Sequence, residues 1–233
     1  MSGHAVTHDR FLLPPWGWLV GLVIAVMLPS LAVAAFDPPT EQEILPDIRR
    51  PGDQFGISVA IDSSIVEGIL VVGAFRNDEG DPDQGKAYVF RRQWLAPWAQ
   101  LDELFAPDGE ASDEFGRAVA IDGDTLVVRA PNARKDGGTP TAGAVYVFEY
   151  SEAGDEWVFA QKLTASDGAN GDDFGWAVAI DGDTIAVGAL EKSGGLGGAY
   201  AFVRDGFGVW SQQGILADPD GQVGDFLGIS VDV

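Results

Sequence analysis

A Phe-Gly dipeptide recurs along the chain at nearly constant spacing, and this repeat restricts the fold more than any other sequence feature. It stands at Phe55-Gly56, Phe115-Gly116 and Phe174-Gly175, and a fourth copy reads Leu227-Gly228. The first residues of these pairs are 60, 59 and 53 positions apart, and Val-Ala-Ile follows each of the first three. Such a period indicates a chain of similar units, each of which buries apolar surface against its neighbours.

Each repeat contains four strand-like runs separated by turns rich in Gly and Asp. In the second repeat these runs are residues 115–121, 125–130, 144–149 and 157–163. The Asp122-Gly123 connection is typical of a type I′ hairpin, in which both central residues need a positive φ. No helical periodicity of useful length follows residue 35. The sequence therefore predicts an all-β fold with about four strands per repeat.

The period also divides the chain into segments. Gln42-Glu43-Ile44 aligns with Gln161-Lys162-Leu163, so a strand of the fourth type precedes the first repeat. The predicted segments are a lead-in strand at 42–52, repeat 1 at 53–112, repeat 2 at 113–171, repeat 3 at 172–224, and the start of a fourth repeat at 225–233.

Residues 1–35 have the pattern of a secretory signal. An apolar run from Trp16 to Met27 precedes small residues that fit cleavage after Ala34 or Ala35. The alternative is an uncleaved membrane anchor, because residues 16–35 are long enough to cross a bilayer. Residues 36–41 form a Pro-rich linker. We expect the mature chain to be secreted or displayed at the cell surface, with membrane contact only through an uncleaved signal.

Composition excludes several classes of chemistry. The chain has no cysteine, and its two histidines, His4 and His8, lie inside the predicted signal. A mature chain without His or Cys lacks an imidazole base, a thiol nucleophile and an ordinary zinc site, so we predict that it is not an enzyme. A glycosidase with paired carboxylates remains open. The net charge of −22 repels phosphate backbones, so no nucleic-acid partner is expected.

The repeated segments that begin with Phe-Gly resemble the FG-GAP repeat of integrin-α-type β-propellers, especially its short bacterial form. The Phe-Gly half is intact, whereas the Gly-Ala-Pro half is degraded to Gly73-Ala74-Phe75, Arg129-Ala130-Pro131 and Gly188-Ala189-Leu190. The resemblance covers residues 42–233 and implies a β-propeller of four-stranded blades. Because the family usually has about seven blades, the repeats predict a partial propeller or a fragment. Its open edges are expected to favour self-association.

The resemblance also bears on calcium. Family members often carry an Asp-rich calcium loop between the first two strands of a blade. Here that position holds only Asp122-Gly123-Asp124 and Asp181-Gly182-Asp183. Calcium needs six to eight oxygen ligands, so we interpret these as turns and predict no cofactor.

Carboxylates elsewhere are the remaining candidates for cation binding. They lie in the loop between the second and third runs of repeat 1 and in the turns that precede each Phe-Gly. The alternative is that they are solvated turn residues, the first Asp of each turn forming the turn and the second capping backbone amides of the next strand. The candidates are Asp78, Asp81, Asp83, Asp108, Asp113, Asp167, Asp172 and Asp173.

The tryptophans divide into two groups. Trp98, Trp157 and Trp210 each precede the next anchor by 17 residues, so they either pack between blades or offer one sugar-stacking platform per blade. Trp176 takes the place of Ile57 and Arg117 directly after the Phe-Gly. A position that accepts Ile, Arg and Trp is expected to be partly exposed, so Trp176 is the candidate ligand-binding residue.

The sequence therefore predicts an exported, non-catalytic interaction or adhesion module that binds a protein or glycan ligand at the cell surface. The first alternative is a lectin-like propeller. The second alternative is an accessory domain of a larger secreted enzyme.

Overall fold

The computed structural model describes residues 42–48, 50–63, 67–94, 96–134 and 142–233, which belong to one compact unit, Gln42–Val233. The predicted signal and linker lie outside the described residues. Blade 1 consists of β1 (Val59–Ser63), β2 (Glu67–Ala74), β3 (Lys86–Gln93) and β4 (Ala99–Leu104). Blade 2 consists of β5 (Val119–Asp122), β6 (Thr125–Ala130), β7 (Ala144–Ser151) and β8 (Glu156–Leu163). Blade 3 consists of β9 (Phe174–Asp181), β10 (Thr184–Ala189), β11 (Gly198–Arg204) and β12 (Trp210–Leu216).

Each blade is an antiparallel meander in which every strand pairs with its neighbour in sequence. A short helical turn, α1 (Lys192–Gly195), joins β10 to β11. Across the described ranges, no helix has the length and apolar character needed to cross a membrane. The predicted all-β partial propeller of four-stranded blades is confirmed.

The phenylalanine of each Phe-Gly packs against the third strand of its own blade. The Phe115 ring meets Tyr146 and Phe148 edge-on, with centroids 5.5 and 6.1 Å apart. Blades 1 and 3 repeat the arrangement, with the pairs Phe55–Tyr88, Phe55–Phe90, Phe174–Tyr200 and Phe174–Phe202. Edge-to-face geometry suits the ring quadrupoles and adds to the energy of burial. The Tyr-x-Phe of the third run is therefore the partner of the Phe-Gly.

The backbone of the same dipeptide contacts the preceding blade. The Phe115 amide donates to the Gln84 carbonyl at 2.9 Å, and Gly116 has a φ of 95°. A Cβ on Gly116 would lie 2.3 Å from the Lys86 carbonyl oxygen. Only glycine fits this combination of positive φ and close approach, which explains why glycine follows the phenylalanine.

Apolar clusters fill both interfaces between blades. Val71 and Val89 of blade 1 lie in one cluster with Trp157 of blade 2. Trp210 of blade 3 occupies the equivalent place in the second cluster, between blades 2 and 3. Trp157 and Trp210 are only 5% and 2% exposed. Of the two alternatives for the periodically spaced tryptophans, packing between blades therefore holds for Trp157 and Trp210. Trp98 is partly buried and packs on the opposite face of blade 1.

Side-chain hydrogen bonds join successive outer strands. The Gln161 side chain donates to the Trp210 carbonyl at 2.7 Å and accepts from the Trp210 amide at 2.9 Å. Gln42 makes the same two bonds to Trp98, at 2.9 and 2.8 Å. Gln42 thus makes the contacts that its alignment with Gln161 predicts. The predicted lead-in strand at 42–52 is not formed within the described residues 42–48 and 50–52, where side-chain bonds to Trp98 take the place of a strand ladder.

The inner hairpins also connect the blades. Asp62 accepts from the Gly123 amide at 2.8 Å, and Asp122 accepts from the Gly182 amide at 2.7 Å. Asp122 pairs with Thr125, so the loop residues are Gly123 and Asp124 rather than Asp122 and Gly123. Of these two, only Gly123 has a positive φ, of 52°. The type I′ prediction was therefore wrong, because Asp122 continues the strand by one residue.

We expect Phe115→Ala to lower the free energy of unfolding by about 3–5 kcal/mol, because it empties a buried ring site. Phe207→Ala, which removes a ring that is 93% exposed, should change it by less than about 0.5 kcal/mol. Urea denaturation followed by fluorescence measures both values. Similar effects of the two substitutions would contradict the anchor role of Phe115.

Candidate functional site

The residues that directly follow the Phe-Gly glycines occupy the same place in every repeat. We call them the Phe-Gly rim: Ile57, Arg117, Trp176 and Ile229. All four are exposed, and Trp176 is 38% accessible to solvent. The predicted partial exposure of Trp176 is therefore confirmed.

Trp176 lies beside a second departure from the repeat, Arg129. The equivalent positions are Gly73 and Gly188, where a Cβ would come within 1.9 Å of a carbonyl oxygen in the following segment. At the interface between blades 2 and 3, the Arg129 side chain instead lies against Gly175, and its guanidinium carbon is 5.5 Å from the Trp176 ring centroid. In the sequence, Arg129 stands out only as part of a degraded Gly-Ala-Pro motif.

Arg129 is a buried cation with incomplete pairing. Its side chain is 4% exposed, and the nearest carboxylate, Asp173, is 3.9 Å from Nη2. Its Nε is buried and has no hydrogen-bond partner among the described residues. Burial lowers the pKa of Arg129 to about 10, which still leaves it protonated at neutral pH. A buried positive charge therefore lies behind the exposed Trp176 ring.

Arg117 is a second arginine near Trp176, and Glu114 compensates part of its charge. Its guanidinium carbon lies 4.4 Å from the Phe75 ring centroid, and Nη1 donates to Glu114 at 2.9 Å. Two arginines and an indole thus lie close to one end of the inner strands in a chain whose net charge is −22. This combination can bind an aromatic or carboxylate group without covalent chemistry.

The predicted cation ligands Asp108 and Asp167 lie in equivalent Tyr–Lys contacts. Asp167 accepts from the Tyr200 hydroxyl at 2.8 Å and from Lys192 at 2.7 Å. Asp108 accepts from Tyr146 at 2.8 Å and from Lys162 at 2.6 Å. Burial acts to raise the pKa of each carboxyl, but the hydrogen bonds from lysine and tyrosine outweigh it, so each pKa is lowered.

Asp113 and Asp172 cap backbone amides, as one interpretation predicted. They accept from the amides of Glu110 and Ala169, at 2.8 and 2.9 Å. These amides lie three residues earlier in the turn, and not in the next strand, because both aspartates fold back over the turn that they close. Burial raises the pKa of Asp113, and the bond from Glu110 offsets part of this effect.

The remaining candidates lie in loops. Asp78 accepts from the Asp83 amide at 2.7 Å, Asp81 is exposed in the same loop, and Asp173 faces Arg129. In the part of the chain that the structure describes, no three acidic or histidine side chains converge as a metal-binding group.

A lysine lies over the tyrosine of each blade, and the sequence repeat did not predict it. The Lys86, Lys162 and Lys192 ammonium groups lie 5.8, 5.3 and 5.5 Å from the ring centroids of Tyr88, Tyr146 and Tyr200. The lysines come from β3, β8 and α1, so they occupy three different repeat positions. No periodic signal could have revealed them.

We expect Asp167→Asn to lower the free energy of unfolding at pH 7 by about 1 kcal/mol, a small value because the carboxylate is about half exposed. Since the folded pKa of Asp167 is lowered, its contribution is complete above its ordinary pKa of 3.8 and is lost as the pH falls through the folded value. The difference between wild type and variant should therefore shrink below about pH 4.

Asp220→Asn is the matched control for this denaturant titration over pH. Asp220 occupies the same repeat position, and its carboxylate has no tyrosine or lysine partner among the described residues. A pH-independent difference for Asp167→Asn, or an equal effect of Asp220→Asn, would contradict the assigned role.

The FG-GAP repeat profile matches residues 40–90, 98–148 and 157–202, more than half of the chain. A search of curated proteins gives no match. Among solved structures, the chain is similar to Saccharomyces cerevisiae Sqt1, with 12% sequence identity and a TM-score of 0.47. That similarity covers 72% of this chain and 37% of Sqt1.

Each profile match ends at the phenylalanine of a Tyr-x-Phe, namely Phe90, Phe148 or Phe202. The matches therefore follow the same period as the ring contacts of the Phe-Gly anchors. The predicted resemblance is confirmed, and the chain belongs to the FG-GAP repeat family.

Proposed function

We propose that this protein is an exported, non-catalytic propeller module that binds a protein ligand at the cell surface through its Phe-Gly rim. One observation carries the proposal: Trp176 and Arg129, which both depart from the repeat, lie next to each other at one blade interface. Because glycine occupies the equivalent positions 73 and 188, the repeat itself does not require an arginine at this place.

The chemistry of the rim supports protein recognition. Tryptophan and arginine are the residues that most often dominate the binding energy of protein interfaces. Here the ring is partly exposed while the guanidinium behind it is fixed by burial, so little conformational entropy is lost on binding. The ligand group that fits best is an aromatic or carboxylate side chain, which can stack on Trp176 and approach the positive charges of Arg117 and Arg129.

The alternative of one sugar platform per blade loses its support. The ring faces of Trp157 and Trp210 are covered by the blade interfaces, where these residues are 5% and 2% exposed. A stacking platform needs an open ring face, so these two tryptophans cannot supply it.

Selection of phage-displayed random dodecapeptides on the purified chain tests the rim. We expect enriched peptides to carry aromatic or acidic residues and to bind Trp176→Ala at least about tenfold more weakly. Trp94→Ala removes an indole that is 72% exposed at the end of β3, and it should change affinity by less than about twofold. Titration calorimetry measures the affinities, and thermal melts check folding.

Peptides that bind wild type and Trp176→Ala equally would contradict the assigned rim. Loss of binding in Trp94→Ala would also contradict it. A third contradicting outcome is that wild type enriches no peptide beyond those enriched in a parallel selection on Trp176→Ala.

Export is tested separately by expressing the full chain in a bacterial host. We expect the protein in the exported fraction with Phe36 or Ala35 as its first residue, because cleavage follows Ala35 or Ala34. N-terminal sequencing of the recovered protein makes the measurement. A chain that stays in the cytoplasm with its first 35 residues intact would contradict export.

A further inference from the structure

A cleft of about 470 Å³ opens in blade 1, between the β2–β3 loop and the turn that leads into blade 2. Its volume lies within the range of small-molecule sites. Its principal lining side chains are Asn77, Glu79, Gln84, Lys86, Glu103 and Phe105. The set contains an aromatic ring, carboxylates, amides and an ammonium group.

The floor of the cleft is a connected polar network. Lys86, whose side chain is 9% exposed, donates to both Glu79 and Glu103, the latter at 2.6 Å. Asn77 donates to Asp53 at 3.0 Å and to the Tyr88 hydroxyl at 3.3 Å. Burial acts to lower the pKa of Lys86, but its bonds to Glu103 and Glu79 outweigh this and raise it, and the same ion pair lowers the pKa of Glu79. The Lys86–Glu79 pair is therefore charged on both sides at neutral pH.

The wall of the cleft contains an exposed aromatic ring and a side-chain amide. Phe105 is 58% exposed, whereas the equivalent repeat positions hold Thr164 and Ala217. The Gln84 side-chain oxygen accepts from the Asp81 amide at 3.4 Å, and its Nε2 has no hydrogen-bond partner within the described residues. An open ring and free amide donors thus lie beside the carboxylates of the floor.

The charge pattern discriminates between classes of ligand. Two carboxylates against one ammonium disfavour a phosphate or other anion, and an ionised floor disfavours a wholly apolar ligand. A neutral sugar has an apolar face for an aromatic ring and hydroxyls that both donate and accept. We propose that this cleft binds a neutral carbohydrate of one or two rings, stacked on Phe105 and hydrogen-bonded to Glu79, Glu103 and Gln84.

The side chains proposed to bind sugar are different from the Trp176–Arg129 pair that carries the protein-binding proposal. The cleft belongs to blade 1 and the following turn, whereas Trp176 and Arg129 lie at the interface between blades 2 and 3. Substitutions at one site should therefore leave the other unchanged, and each proposal can fail alone.

Titration calorimetry of the purified chain with maltose, cellobiose, lactose, chitobiose and mannobiose tests the proposal. We expect at least one of them to bind with a Kd below about 10 mM, and Phe105→Ala to weaken that binding at least about tenfold. Gln84→Ala should weaken it less, and Phe105→Trp should retain it. Phe207→Ala, which removes an exposed ring at the β11–β12 turn, and Trp176→Ala should both bind like wild type.

Digalacturonic acid serves as the charged counterpart and should bind more weakly than the best neutral sugar, because its carboxylates face Glu79 and Glu103. Thermal melts of every variant confirm folding. The proposal is overturned if none of the five neutral sugars binds, if Phe105→Ala binds like wild type, or if the anionic disaccharide binds more tightly.

Discussion

The contact between each Phe-Gly phenylalanine and the Tyr-x-Phe of the third strand determines how a blade is built and where the next blade can lie. The phenylalanine ring packs on the third strand of its own blade, as the Phe115 ring does on Tyr146 and Phe148. Its backbone is bonded to the preceding blade, as Phe115 is to Gln84. One residue therefore couples packing within a blade to docking between blades. The stability of a repeat protein is approximately the sum of the stability of each repeat and of the interfaces between neighbours, and this residue contributes to both.

This coupling restricts the backbone and the side chains at the repeated positions. Side chains that differ between blades therefore lie where the sequence departs from the repeat. Arg129 replaces a glycine, and Trp176 replaces an aliphatic or charged residue, so the two create the only cation–indole contact at the described rim. Phe105 likewise replaces the small residues found at 164 and 217. The equivalent positions show that the scaffold does not require these three side chains. Trp176 and Phe105 present partly exposed rings, whereas Arg129 is buried behind Trp176.

Periodic features could be predicted from the sequence, and non-periodic ones could not. The Phe-Gly anchors, the buried Trp157 and Trp210 and the equivalence of Gln42 with Gln161 all follow from spacing, because a repeated backbone places equivalent residues alike. The hairpin register was misplaced by one residue, since Asp122 and Gly123 are compatible with two turn positions. Lys162 and Lys192 reach equivalent tyrosines from different strands and loops, and no sequence period connects them.

A double-mutant cycle between Phe174 and Tyr200 tests most directly whether the anchor contact organises the blade. Their ring centroids are 5.2 Å apart at an interplanar angle of 73°. Substituting each with leucine, singly and together, and measuring the free energy of unfolding by urea denaturation isolates the pairwise term from the loss of the Tyr200 hydroxyl. We predict a coupling of about 0.5–1.5 kcal/mol. Additive effects within about 0.3 kcal/mol would contradict the claim that this contact holds each blade together.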